Sequence, residues 1–136
     1  MTTLTLTGVI GFVVIACVFG LVALKGRAGT LARGSGLGLH SAVLESSDDA
    51  WNTGHEAAWP IMAMACVVAV FHAVGCGLAS LMGNDGEAFL HVLLISGIIV
   101  SLALGTLARA AAINAAKRQA ESDRSEEHTS ELQSPR

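Results

Sequence analysis

The chain has 136 residues, of which 52% are hydrophobic and only 14% charged, and its mean hydropathy is +0.59. Soluble domains carry about 25% charged residues and nucleic-acid-binding proteins need a basic surface, so this composition and the net charge of −3 argue against both classes. The apolar residues fall in three blocks. They predict an all-α integral membrane three-helix bundle, with a cytoplasmic amphipathic helix leading into the second span.

The first apolar block, residues 6–24, contains no charged residue and is followed directly by Lys25 and Arg27. A secretory signal peptide carries its basic residues before its apolar core, whereas here they come after it. We therefore expect the block to be a retained transmembrane helix.

The second and third apolar blocks, residues 59–82 and 88–108, are each about 20 residues long, enough to cross ~30 Å of hydrocarbon. The loop between them, residues 83–87, carries only Asp85 and Glu87 as charges, whereas basic residues follow the first and third blocks. The positive-inside rule therefore predicts a multi-pass membrane protein with the N-terminus outside and the C-terminus in the cytoplasm.

Each apolar block also carries small residues at helical spacing. Such residues let membrane helices approach closely and gain dispersion contacts. We expect these faces to pack within the bundle, and the alternative is that they form a homo-oligomer. The small residues are Gly8, Ala16 and Gly20 in the first block, Ala65, Ala69, Ala73 and Gly77 in the second, and Gly97, Ser101 and Gly105 in the third.

The polar segment between the first two spans, residues 25–58, contains a helix start signal. Ser46 precedes Asp49 by three positions, a variant of the capping box, and Ser47 is an equally good cap. Asp48 and Asp49 suit the positive end of a helix dipole. A helix should therefore begin near Asp48.

Three aromatic rings, those of Trp51, His55 and Trp59, then share one face of this helix at i, i+4, i+8 spacing. We interpret it as an interfacial amphipathic helix, and the alternative is a simple aromatic anchor that sets helix depth. Pro60 either opens the second span at its first turn or kinks a continuous helix. The neighbouring polar stripe consists of Asp48, Asn52 and Glu56.

Three short blocks in this segment carry a family resemblance: Gly38-Leu39-His40-Ser41, Ser47-Asp48-Asp49-Ala50-Trp51 and His55. In their order and their placement between two spans they resemble the signature of the SdpI family of bacterial membrane proteins. That signature typically reads Gly-Ile-Arg-Thr, Ser-Asp-Glu-Ala-Trp and His-Arg. The resemblance covers about residues 34–108. The departures are His40 for the family's arginine, Ser41 for its threonine, and Glu56 in place of the basic residue after the histidine.

The SdpI resemblance implies a non-enzymatic membrane protein of the immunity or signalling type. The family's namesake confers immunity to a secreted peptide toxin and sequesters a transcriptional repressor at the membrane. We therefore expect a membrane-active peptide, a cytoplasmic regulator or lipid headgroups to bind the cytoplasmic segment, with Trp51 and His55 as central contacts. The predicted binding residues are Gly38, His40, Ser41, Ser47, Asp48, Asp49, Trp51 and His55.

A different functional candidate is His72, near the middle of the second span. An ionisable residue inside a membrane indicates function by default, here a small transporter or channel subunit. The structural alternative is a neutral histidine that hydrogen-bonds Ser101 or a backbone carbonyl across the bundle. A third interpretation makes the chain an accessory subunit of a larger membrane complex. The sequence contains no nucleophile elbow, phosphate loop or zinc-protease motif, so we expect no catalysis, no cofactor and no metal.

The last residues do not continue the pattern of the rest of the chain. Residues 124–136 are polar and aperiodic, and they resemble the translation of a sequencing-adapter oligonucleotide. Such scars do not belong in fold reasoning. We therefore place the native membrane domain in residues 1–123.

Overall fold

The computed structural model describes residues 2–134, which form helices and connecting segments without any strand. Helix α1 spans Thr2–Ala28, α2 spans Asp48–Ala79 and α3 spans Gly86–Gln133. Short 3-10 helices at Leu44–Ser46 and Ser80–Asp85 lie in the two connections. The all-α prediction is confirmed.

Two helical stretches are long and apolar enough to cross a membrane, judged by length and composition. One is α1, and the other is the run Asp48–Gln133, in which the 3-10 turn joins α2 to α3. The predicted first and third spans lie inside α1 and α3. The predicted second span, residues 59–82, begins well inside α2 and ends in the 3-10 turn.

Helix α2 is the central element. Both α1 and α3 pack along it, and they touch each other little. Apolar side chains fill two clusters. The first, near the start of α2, includes Val22, Leu44 and Trp51, and the second, near its end, includes Cys76 and Leu90.

The small residues lie at these contacts between helices. Ala65 and Ala69 of α2 are fully buried, and Gly97 of α3 lies directly against the rings of Phe12 and His72. Close approach of helices through small side chains increases the number of dispersion contacts. Packing within one chain therefore uses these three small residues.

The outward faces of the helices carry many large apolar side chains. A patch of this extent on a soluble monomer would be exceptional, because such patches rarely exceed a few hundred Å². The outward faces match the surface that a bilayer would cover. The exposed residues include Leu6, Ile10, Val14, Val67, Phe71, Val74, Val92, Ile95 and Ile99.

Helix α2 begins at Asp48, as predicted. The Ser47 hydroxyl accepts a hydrogen bond from the Ala50 backbone N–H at 3.0 Å, so Ser47 is the cap. Ser46 does not take that role, because its hydroxyl donates to the Val43 carbonyl at 2.6 Å. Pro60 lies inside one continuous helix, so the amphipathic segment and the apolar stretch after it form a single element.

Helix α3 continues past the predicted span to Gln133, and its residues 121–133 are exposed. A helix without packing partners rests on local propensity alone. The adapter origin of residues 124–136 stays a prediction, and residues 135–136 lie outside the described range.

The contact of Gly97 with α1 leads to a first prediction. A methyl group on Gly97 would lie 2.8 Å from His72 Cδ2 and closer still to the buried ring of Phe12. Gly97→Ala should therefore lower the free energy of unfolding by about 1–3 kcal/mol. The measurement is thermal or denaturant unfolding of the detergent-solubilised protein, followed by circular dichroism.

The matched control is Gly105→Ala on the same helix, where the nearest atom to an added methyl is Phe19 Cζ at 3.5 Å, an ordinary contact. This variant should be as stable as the parent or more stable, because alanine is the better helix former. Equal stability of the two variants would show that α1 and α3 do not approach each other at Gly97.

Candidate functional site

Trp51 lies at the centre of a cluster formed by the start of α2 and the loop before it. Its side chain is 1% exposed, and its indole N–H donates to the Leu31 carbonyl at 2.9 Å. A buried indole N–H usually needs such a partner. The bond fastens the loop after α1 to the first turns of α2.

His55, one turn further along α2, is also 1% exposed and holds a second point of the loop. The Leu39 N–H donates to His55 Nε2 at 3.0 Å, which assigns Nε2 as the unprotonated nitrogen. Nδ1 then carries the proton and donates to the Trp51 carbonyl at 2.8 Å. The ring is therefore neutral, and both of its nitrogens are hydrogen-bonded.

The loop approaches these two rings through Gly38. Its φ is +157°, and a Cβ there would lie 3.0 Å from Trp51 ring atoms and 3.2 Å from His55 Nε2. The Trp51 and His55 rings are themselves 4.3 Å apart between centroids. Only glycine allows the backbone this close, and the closeness brings the Leu39 N–H to His55.

His40 lies at the edge of the cluster, where it meets solvent. Its ring centroid is 5.7 Å from that of Trp51, and its Nδ1 is 2.6 Å from Glu45 Oε1. Its backbone carbonyl accepts a hydrogen bond from Arg109 Nε of α3 at 3.1 Å. Three segments of the chain therefore meet here: the loop, the start of α2 and the middle of α3.

The remaining predicted binding residues make only local contacts or an exposed ion pair. Ser41 Oγ accepts from the Leu44 N–H at 3.2 Å and starts the short 3-10 helix. Asp48 and Asp49 are exposed in the first turn of α2, and Asp48 pairs with Arg33 at 3.3 Å in an exposed ion pair of small energetic value.

The structure thus gathers Gly38, His40, Trp51 and His55 into one cluster. It buries Trp51 and His55, which were predicted as central contacts, so in this conformation neither ring is open to a partner. Sequence reasoning missed Leu31, Leu39 and Arg109. The first two act through backbone groups, which leave no signal in the sequence. Arg109 is one of the basic residues after the third apolar block, which were used only to predict the orientation in the membrane.

Burial lowers the pKa of His55 below its usual value of 6.5. The backbone hydrogen bond to Trp51 acts in the opposite direction, and the nearby His40 adds a smaller lowering of the pKa. The neutral form is therefore the one on which the loop contacts depend.

Comparisons with protein-family models, with curated proteins and with solved structures find no match to this chain. The function of the loop before α2 is therefore argued from the contacts of the cluster.

His72 lies apart from the cluster, in the second half of α2. Its Nδ1 is 2.8 Å from the Val68 carbonyl of the same helix, and not from a carbonyl across the bundle as predicted, and its Nε2 is 3.4 Å from Ser96 Oγ. The prediction of Ser101 as its partner is wrong, since the buried Ser101 hydroxyl has no hydrogen-bond partner among residues 2–134. Both ring nitrogens of His72 therefore have a hydrogen-bond partner within the chain.

The bond between Trp51 and Leu31 gives a second prediction. Trp51→Phe keeps most of the buried apolar surface but leaves the Leu31 carbonyl without its donor, at a cost of about 1 kcal/mol. Loop residues 29–43 should exchange their amide hydrogens faster, by roughly fivefold. Hydrogen–deuterium exchange followed by mass spectrometry measures this. Trp59→Phe is the control, because the half-buried Trp59 makes no side-chain hydrogen bond within the described chain.

The pKa of His55 gives a third prediction. The unfolded segment takes up a proton near pH 6.5, whereas the folded cluster resists protonation to lower pH. The loop should therefore be fully stable above pH 6.5 and lose stability as the pH falls from there toward the lowered pKa. Amide exchange of residues 35–43 at pH 5 to 8, corrected for intrinsic rates, should show this loss.

His55→Gln is the matched variant for the pH experiment. Glutamine offers an acceptor for the Leu39 N–H but does not titrate. The variant should therefore abolish the pH dependence. A pH dependence that persists in His55→Gln would assign it to another group.

Proposed function

We propose that the chain is an integral membrane protein with three spans, one in each of α1, α2 and α3. The exposed apolar side chains along these helices support this, as does the charge pattern. Lys25 and Arg27 end α1, and Arg109 follows the apolar part of α3, whereas Asp85 and Glu87 lie at the opposite turn. The positive-inside rule then puts the N-terminus outside and the loop before α2 in the cytoplasm.

In this arrangement residues 29–47 and the first turns of α2 form a folded cap on the cytoplasmic side, here named the cytoplasmic cap. We propose that it binds a peptide or a protein regulator, as an immunity or signalling protein of the SdpI type does, and that no chemical reaction is catalysed. The observation that carries this proposal is the convergence of Gly38, Trp51 and His55. Gly38 is remote in sequence from Trp51 and His55, and in the structure it lies against both of their rings.

A tryptophan that only sets helix depth needs neither a glycine against its ring nor a backbone carbonyl for its N–H. Both are present at Trp51. The buried residues would hold the cytoplasmic cap in one shape, and a surface ordered in advance binds with a smaller entropy cost. The contacts to a partner would then come from exposed residues such as Asp48, Asp49 and Glu56.

This division of roles determines what a Trp51→Ala substitution would test. Removing a buried tryptophan leaves a cavity and costs about 3–5 kcal/mol, so the variant tests the fold of the cytoplasmic cap and not a contact. Variants of the exposed carboxylates test the contact without disturbing the cluster.

The fourth prediction concerns protection of a sensitive bacterium against membrane-active peptides. Cells that express the chain should survive a peptide that kills the parent strain. The triple variant Asp48→Asn, Asp49→Asn, Glu56→Gln should reduce the number of surviving cells at least tenfold, because the exposed charges of the cytoplasmic cap are removed. Colony counts after challenge measure survival, and immunoblots of membrane fractions confirm equal expression.

The matched control is Asp85→Asn, Glu87→Gln, which removes carboxylates from the opposite turn and should keep full protection. His72→Leu should also keep it, since a binding protein does not need an ionisable group in its second span. Loss of protection in His72→Leu alone would favour transport through His72 over binding at the cytoplasmic cap.

A further inference from the structure

A groove of about 250 Å³ lies between α1 and α2, outside the histidine–tryptophan cluster. Its walls are formed by Gly20 and Ala23 of α1 and by Ala63 and Cys66 of α2. These residues carry no charge. The groove is therefore apolar, and it opens on the outer surface of the packed helices.

One end of this groove carries a positive charge. The Arg27 guanidinium carbon lies 4.8 Å from the centre of the Trp59 ring, and both residues line the groove. A cation–π contact does not use the guanidinium N–H groups as hydrogen-bond donors, so they stay available to an acceptor. The ion pairs found among residues 2–134 are Arg33–Asp48 and His40–Glu45, so Arg27 has no carboxylate partner there.

The other end of the groove is closed by the helices themselves. A Cβ on Gly20 would lie 3.2 Å from Cys66 Sγ, so the walls come together at this point. Gly20 and Arg27 are seven positions apart on α1, or about 10 Å along the helix. The groove is therefore a short apolar slot that starts beneath an unpaired cation and ends between two helices.

We propose that the groove binds one anionic glycerophospholipid from the cytoplasmic leaflet. The phosphate would accept hydrogen bonds from the N–H edge of Arg27, and one acyl chain would lie along Ala23 and Ala63. Arginine and phosphate form strong, often bidentate, hydrogen bonds, and the cytoplasmic leaflet is the anionic one. The proposal rests on the membrane orientation given above and adds a lipid site that the immunity role does not require.

The test uses Trp59 as the reporter. The full chain is reconstituted in phosphatidylcholine vesicles that contain a small fraction of brominated phosphatidylglycerol, and bromine quenches the fluorescence of a nearby indole. Quenching should reach half its maximum at roughly tenfold lower mole fraction than with brominated phosphatidylcholine. Trp59→Phe gives the baseline from Trp51, which is buried in the cluster.

Two pairs of variants locate the site. Arg27→Gln should abolish the preference for the anionic lipid, whereas Lys25→Gln, which removes a neighbouring charge that does not line the groove, should keep it. Ala63→Leu fills the groove and should also abolish the preference. Ala103→Leu, an equal enlargement at an exposed position of α3, should keep it.

Vesicle flotation distinguishes a failure of the lipid site from a failure of the proposed membrane orientation. A chain that fails to float with pure phosphatidylcholine vesicles would overturn the membrane orientation and the lipid site together. A chain that floats but shows no preference for the anionic lipid would overturn the lipid site alone. A preference that survives both Arg27→Gln and Ala63→Leu would also overturn it, because the lipid would then bind elsewhere.

Discussion

The hydrogen bond from the Leu39 N–H to His55 Nε2 is the contact on which the rest of the loop depends. Residues 29–43 contain four glycines and no regular helix, so ordering them has a high entropy cost. That cost is offset at two points on α2, His55 and Trp51, where loop backbone groups meet buried side chains. Both side chains are enclosed, and the contact at His55 requires the neutral imidazole. The fold of the loop is thereby tied to the protonation state of one imidazole.

The packing of the three long helices depends on a different constraint, the small size of the side chains at their contacts. Ala65, Ala69 and Gly97 keep the contact surfaces nearly flat, so α1 and α3 can both lie close to α2. Dispersion contacts at such short range are individually small but numerous. In the proposed membrane setting lipid is as apolar as leucine, and this closeness is what distinguishes a helix contact from a lipid contact.

The local features of the fold could be predicted from the sequence, and the contacts over long sequence separations could not. The start of α2 at Asp48 followed from a serine cap and two aspartates, which act within one helical turn. The burial of Trp51 could not be predicted, because it depends on a loop carbonyl 20 residues away. For the same reason Ser101 was chosen as the partner of His72 instead of Ser96, since spacing on α3 does not fix which turn faces α2. The prediction of Trp51 and His55 as contacts to a partner gave an exposed role to two residues that are buried.

The continuity of α2 has a mechanical consequence. One unbroken helix carries both Trp51, inside the loop cluster, and the fully buried Ala69 further along, so α2 connects the two regions directly. The weakest point of α2 is Pro60, which has no N–H and leaves the Glu56 carbonyl without its helical donor. A force on the loop would therefore bend α2 at Pro60 before it disrupted the helix contacts further along. Bending at Pro60 would thus limit how far a displacement of the loop reaches those contacts.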